Sequence, residues 1–354
     1  MAEKKLAKSG KYNAAATWSP SGIPVAGDDV ILEGAFTLTI DAAANCRSMK
    51  AAAGYTGKVV HTAGLVSVGN SEEPPEATAL KFIAGMKYEP SAAMTIALVS
   101  TNATRLKVFA GGQTFATLQT GAATGKWKLE DELKAAKLSN TKGDIDCSSR
   151  TLELSTELLS SAEGTISLEN ATLKLTSAIS VGETTVLNVD EKATVNGTGS
   201  TVETTGSGAG IKKLSAKGQT FGTLKLTNDC VVEQSMTVTT FALNAAGGAQ
   251  GIALSENVVV TCSSLTTNAK AGSLCKLVSS PEGKPGKIKC SGAVNLDFLE
   301  LKDNTAEGHT PFYAGTHSVN NGNVTNWNFE AEPVEGETRV RAGAELRRRL
   351  RRRR

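Results

Sequence analysis

Three pairs of neighbouring carboxylates are the residues of this chain whose type and spacing suit chemistry: Asp28 with Asp29, Asp144 with Asp146, and Asp190 with Glu191. Glycoside hydrolysis needs two carboxyl groups at a defined separation, one protonating the leaving oxygen and the other acting as nucleophile or base. Asp144 and Asp146 are two apart in a strand-like phrase, so alternation projects them to one face. Asp190 and Glu191 fall in an expected turn. Asp28 and Asp29 follow Gly27, where aspartates make turns and accept backbone N–H groups. A calcium ion there would need more oxygen ligands than the pair supplies, and no repeating ladder of aspartates accompanies it. A glycan-processing groove also presents aromatic platforms, yet aromatics are only 5% of the chain. The pairs therefore read as solvated turns and the chain as a non-enzyme.

The other candidate bases and nucleophiles point the same way. His61, His309 and His317 complete the set of histidines, and the last two lie in an Asn- and Tyr-containing segment suited to surface or end-cap hydrogen bonding. The six cysteines, Cys46, Cys147, Cys230, Cys262, Cys275 and Cys290, have no CxxC spacing and read as small buried hydrophobes rather than a zinc site or redox pair. Gly206 to Gly210 (GSGAG) lacks the Lys-Ser/Thr pair of a phosphate loop and reads as a turn. No cofactor and no metal is expected.

What positions these residues is a repeated phrase. GQTFGTLKLT at Gly218–Thr227 has a near copy, GQTFATLQT, at Gly112–Thr120. Each is a small turn followed by alternating large and small side chains, the signature of a strand with one face on a core. Short phrases of this kind recur: Phe36, Leu38 and Ile40; Leu152 and Leu154; Ile166 and Leu168; Leu173 and Leu175; Val186 and Val189; Val195 and Val202. Strands so closely spaced cannot each bury a face alone, whereas stacked coils bury one continuous core. The chain is therefore expected to be all-β, a right-handed parallel β-helix (β-solenoid) with end caps and a basic C-terminal tail.

The expected divisions are 1–28 as N-terminal arm and cap, 29–300 as solenoid body, 301–330 as closing segment and 331–354 as Arg-rich tail. Trp18 and Trp327 are the expected end caps, because an exposed terminal coil needs covering. KWKLEDELKAAKL at Lys126–Leu138 has a helical composition, but its strand-like neighbours favour strand. SEEPPEA at Ser71–Ala77 reads as a surface loop, since prolines cannot donate to a ladder. Val258, Val259 and Val260 read as buried on both faces.

Charge divides the chain sharply. Residues 338–354 hold nine arginines and one glutamate, so the net +3 splits into +8 there and −5 over the rest. Arg339, Arg341, Arg347, Arg348, Arg349, Arg351, Arg352, Arg353 and Arg354, with Leu346 and Leu350 spaced for one helical face, read as a docking peg. Guanidinium groups pair bidentately with carboxylates, so an acidic surface of another protein is the expected partner. Nucleic acid is the alternative, with affinity falling as salt rises. Nothing in the sequence is long and apolar enough to span a bilayer, and the N-terminus lacks a signal-peptide run, so synthesis in the cytosol and no membrane partner are expected.

Three phrases taken in order carry a family resemblance. They are WSPSGIPVAGDDV from Trp18, the repeated GQTF[AG]TL, and DNTAEGHTPFYAGTHSVNNGNVTNW from Asp303. Together, over Trp18–Phe329, they resemble β-helical virion structural proteins of tailed bacteriophages. The resemblance implies a particle component made in the host cytoplasm, serving as decoration, fibre or tail part, often trimeric, with a receptor- or glycan-binding fibre as the alternative. It supplies no catalytic residues, and the Arg-rich end is not part of its pattern.

Overall fold

The computed structural model describes residues 2–69, 77–101, 104–205, 208–227, 229–246 and 250–333. The segment 71–76, the first two glycine-loop residues at 206–207, and the whole Arg-rich run with Arg339–Arg354 lie outside the described residues. Among the described residues there is no α-helix, and a 27-stranded, mostly parallel sheet dominates.

The order of pairing shows how the chain is laid down. Asp29–Leu32, Thr37–Asp41 and Ala44–Cys46 are followed by Ser48–Ala51, Lys58–Ala63 and Leu65–Val68, and each member of the second trio pairs in parallel with its counterpart in the first. Thr78–Lys81, Lys87–Pro90 and Thr95–Leu98 make the next layer in the same order. The arrangement is consistent with a β-solenoid. Layers differ in length, because Asp29 lies opposite Ser48 after 19 residues whereas Met49 lies opposite Leu80 after 31. From Thr114 onward single strands continue the first and third ladders, Thr114–Leu129 pairing with Thr95–Leu98 and, through Arg105–Phe109, with Thr78–Lys81, while the middle ladder is a separate sheet. Thr114–Leu129, Leu133–Asp146 and Thr151–Ser167 then pair along most of their lengths, with register shifts where they bend.

Alternation explains the core. Leu118, Leu138, Leu158, Leu187, Leu214, Val232 and Leu254 are successive register partners, and all are buried. Burying each such side chain contributes about 1.5–3 kcal/mol before chain entropy is charged against it. Lys126–Leu129 and Leu133–Leu138 are strand, as expected, with only a short turn between. Leu129 and Leu133 are buried, so core contact overrides their helical neighbours' propensity. Val258–Val260 needs correction: Val258 and Val260 are buried but Val259 is half-exposed, so the triplet alternates as an ordinary one-sided strand.

The repeated GQTF phrase has a single structural job in both copies. Gly112 and Gly218 both have φ 73, a left-handed conformation that glycine adopts without a Cβ penalty. Gln113 then donates to the carbonyl of Ile83, and Gln219 to those of Asp190 and Ala193, so each glutamine ties its turn to the preceding coil. Phe115 and Phe221 follow into the core.

At the two ends the sheet is finished differently. Glu3–Leu6 is docked in parallel on Asp29–Leu32 and in antiparallel on Trp18–Ser19. Trp18 packs edge-on against Tyr12 at 5.4 Å, and its indole N–H donates to the Tyr12 carbonyl at 2.8 Å. Pairing continues past residue 300 through Asn304–Gly308 to Val324–Thr325. There Trp327 lies edge-on to Phe312 at 5.3 Å, and its indole donates to Asn304 Oδ1 at 2.9 Å.

Candidate functional site

Asp144 and Asp146 occupy alternate positions of Leu133–Asp146 and share a face, as their spacing predicts. Two layers away Arg105 reaches both: Nη2 donates to Asp144 Oδ2 at 2.7 Å and Nη1 to Asp146 Oδ2 at 3.0 Å. Register explains the meeting, because Arg105 lies opposite Lys126, which lies opposite Asp144. Partial burial alone would raise the Asp146 carboxyl, but hydrogen bonds from the Ser148 side chain and backbone, with the Arg105 and Lys128 charges, outweigh it and hold the group below its ordinary value. A general acid needs the opposite shift, so these partners favour the ionised form of Asp146 and work against that role.

The other pairs are also engaged. Asp28 is buried and accepts the N–H groups of Ala2 and Val25, fastening the N-terminal strand and its turn. Asp29 binds Arg47 and Ser48 and lies 3.7 Å from Lys50. Burial opposes ionisation of Asp29, yet those partners prevail and its carboxyl lies below its ordinary value. Asp190 caps its turn by accepting Lys192 N–H, and Glu191 pairs with Lys217. Among the described residues no group of three or more His, Cys, Asp and Glu is arranged to hold a metal ion.

The histidines separate into two kinds. His61 is fully buried, with Nε2 facing the Gly64 carbonyl and Nδ1 facing the Tyr88 hydroxyl, each at 2.9 Å. The carbonyl can only accept, so Nε2 carries the proton and Nδ1 accepts from Tyr88. Burial pushes its pKa below the ordinary value, with the Gly64 hydrogen bond opposing. His317 is exposed, bonds Asp297 Oδ2 through Nδ1 at 2.6 Å and stacks on Phe298 at 4.7 Å. His309 is exposed and contributes a backbone N–H to the Cys290 carbonyl.

All six cysteines are buried free thiols. Sequence reasoning missed that Cys262 and Cys290 are direct register partners. Their separation of 28 residues equals one coil at that point, as Val260 opposite Ile288 shows, and coil length varies too much for the spacing to announce it. It also missed Arg105, whose partners are 39 and 41 residues away.

No helix among the described residues is long and apolar enough to cross a membrane. Comparison with protein-family models, with curated proteins and with solved structures finds no match to the chain.

Proposed function

We propose that this protein is a non-enzymatic structural component of a bacteriophage-type particle, a capsid decoration or other surface-exposed virion protein, built as a right-handed β-solenoid and anchored by its basic tail. The observation that carries the non-enzymatic reading is the Arg105 clamp on Asp144 and Asp146, which converts the best-spaced carboxylate pair into a surface ion-pair network. The structural reading is supported by the layered parallel pairing and by the ordered phrases from Trp18 to Trp327. Acidic surfaces of neighbouring particle proteins are the tail's partners, because bidentate guanidinium–carboxylate contacts suit its arginines. Association as a homo-oligomer, with a trimer as one option, fits the same reading. Deleting residues 338–354 is expected to leave the circular dichroism spectrum and melting unchanged but abolish incorporation into particles. Normal incorporation of the shortened chain refutes the anchor. Incubation with envelope polysaccharide is expected to release no new reducing ends; release that disappears in Asp144→Asn refutes the non-enzymatic reading.

One observation favours a second reading, a receptor- or glycan-binding fibre. Exposed His317, stacked on half-buried Phe298, stands beside an open cleft of about 520 Å³ lined by Asn295, Asp297, Thr316 and Glu332 among others. Aromatic faces beside convergent polar groups suit a sugar ring. Binding to an oligosaccharide array that is lost in Phe298→Ala would establish it.

A further inference from the structure

We propose that Cys262 and Cys290 are an oxidation site, at which a small peroxide joins the two thiols into an intrachain disulfide tying neighbouring coils together. This inference is independent of the functional reading above. The residues lie in Val259–Thr267 and Gly286–Cys290, which pair in parallel with Cys262 opposite Cys290. Both side chains point inward, since Val260, Cys262, Ile288 and Cys290 are all buried. Neighbouring strands are about 4.7–4.9 Å apart. That falls within the roughly 4.4–6.8 Å between Cα atoms that a disulfide spans, and the Cβ atoms must draw in to about 3.8 Å. Cys290 is the last residue of its strand, with Gly308 as its next register partner.

The other strand cysteines face different residues. Cys46 lies opposite Val68, Cys230 opposite Lys212 and Ile252, and Cys275 opposite Leu299. Cys147 lies just beyond the end of its strand. The Cys262–Cys290 juxtaposition is thus particular to one layer.

The chemistry balances with one peroxide. The Cys262 sulfur attacks a peroxide oxygen, the O–O bond breaks, and the thiol proton leaves with the other oxygen as water. Cys262 is then a sulfenic acid, which condenses with a neighbouring thiol. The Cys290 sulfur displaces its hydroxyl: the S–O bond breaks, the S–S bond forms, and the Cys290 proton leaves with the hydroxyl as a second water. Burial, then the neighbouring Cys290, raises the Cys262 thiol well above its ordinary value. The thiolate is the nucleophile, so the reaction is slow while the coils stay closed.

The test uses the folded full chain treated with hydrogen peroxide, quenched, unfolded in an alkylating agent, digested with trypsin and mapped by mass spectrometry. The expected product links the peptide containing Cys262 to the peptide beginning at Cys290, two hydrogens lighter than the pair of thiols. The link is expected to survive in Cys230→Ser and vanish in Cys262→Ser. The melting midpoint of the oxidised chain is expected to rise and to return on reduction. Alkylation of both cysteines after peroxide treatment overturns the proposal. So does a link from Cys290 to Cys230, or sulfinic acid at Cys262 in place of a link. If Cys262→Ser fails to fold, the wild-type map and Cys230→Ser decide.

Discussion

Between Thr114 and Ser167 three strands of 16, 14 and 17 residues lie directly on one another, whereas from Val294 to Asn328 no strand exceeds five residues. The middle coils are held by backbone ladders over a column of large apolar side chains. The closing coils instead rely on side chains that stand in for missing ladder partners. Asp303 accepts from Gly283 N–H and Asn323 Nδ2, Asn326 donates to the Ala306 carbonyl, and Asn304 receives the Trp327 indole. Phe298, Asp303, Asn323 and Asn326 are four of the eight described non-glycine residues with positive φ. Asn and Asp tolerate that conformation better than other residues, which is why the closing segment is rich in them. A stack can thus be continued by hydrophobic layering or finished by polar side chains, and the two should fail differently.

The largest expected effect is in the middle. Leu158 lies between Leu138 and Leu187 in register, so Leu158→Ala leaves a cavity with fixed walls and is expected to cost about 2–5 kcal/mol in a urea melt. Asp303→Ala removes the acceptor of two hydrogen bonds from a buried position and is expected to cost about 1–3 kcal/mol, felt locally. Hydrogen exchange should quicken over residues 283–328 while 114–167 stays protected. Equal loosening of both regions would show that the stack melts as one unit, not as neighbouring layers.

Acid should separate the regions by order of opening. His61 has a depressed pKa when folded, so the unfolded chain binds the proton more readily; its contribution is complete above about 6.5 and declines as pH falls below that value. Asp297 and Asp303 are depressed carboxylates. At each, burial is outweighed by hydrogen bonds, from His317 and Phe298 at Asp297 and from Gly283 and Asn323 at Asp303. Their contribution is complete above about 3.9 and is lost as pH falls through the folded value. Protection from exchange around His61 is therefore expected to fall as pH drops below about 6.5, before the closing coils respond. Closing coils that open first on mild acidification would reverse this assignment.

The middle was readable from sequence because its physics is periodic. Leu152, Leu154, Ile166, Leu168, Leu173 and Leu175 are all buried, as alternation requires. The GQTF phrase was readable as turn and strand, but not the reach of Gln113 and Gln219 into the previous coil, which depends on where that coil ends. The Arg105 clamp and the Cys262–Cys290 contact were hidden for the same reason. Pairing across coils depends on each coil's length, and layers of 19 and 31 residues follow one another with no marker in composition.

The smallest expected effect concerns the solvent face of the middle coils. Lys134, Glu153, Lys174, Glu203 and Lys225 are successive register partners, a column of alternating charge. Opposite charges directly across a pair of strands contribute about 0.2–1 kcal/mol, and like charges cost as much. Lys174→Glu would place three carboxylates in succession, at Glu153, the substituted position and Glu203. Its cost is expected to reach about 1 kcal/mol at low salt and to shrink as ions screen the column. Lys302 offers the matching test at the closing end, where it pairs with the exposed Glu282. Lys302→Glu should leave the melt unchanged at any salt concentration, because exposed pairs add little. If Lys174→Glu is equally silent at low ionic strength, the alternating column does not help set the register of the middle coils, and the apolar column alone must do so.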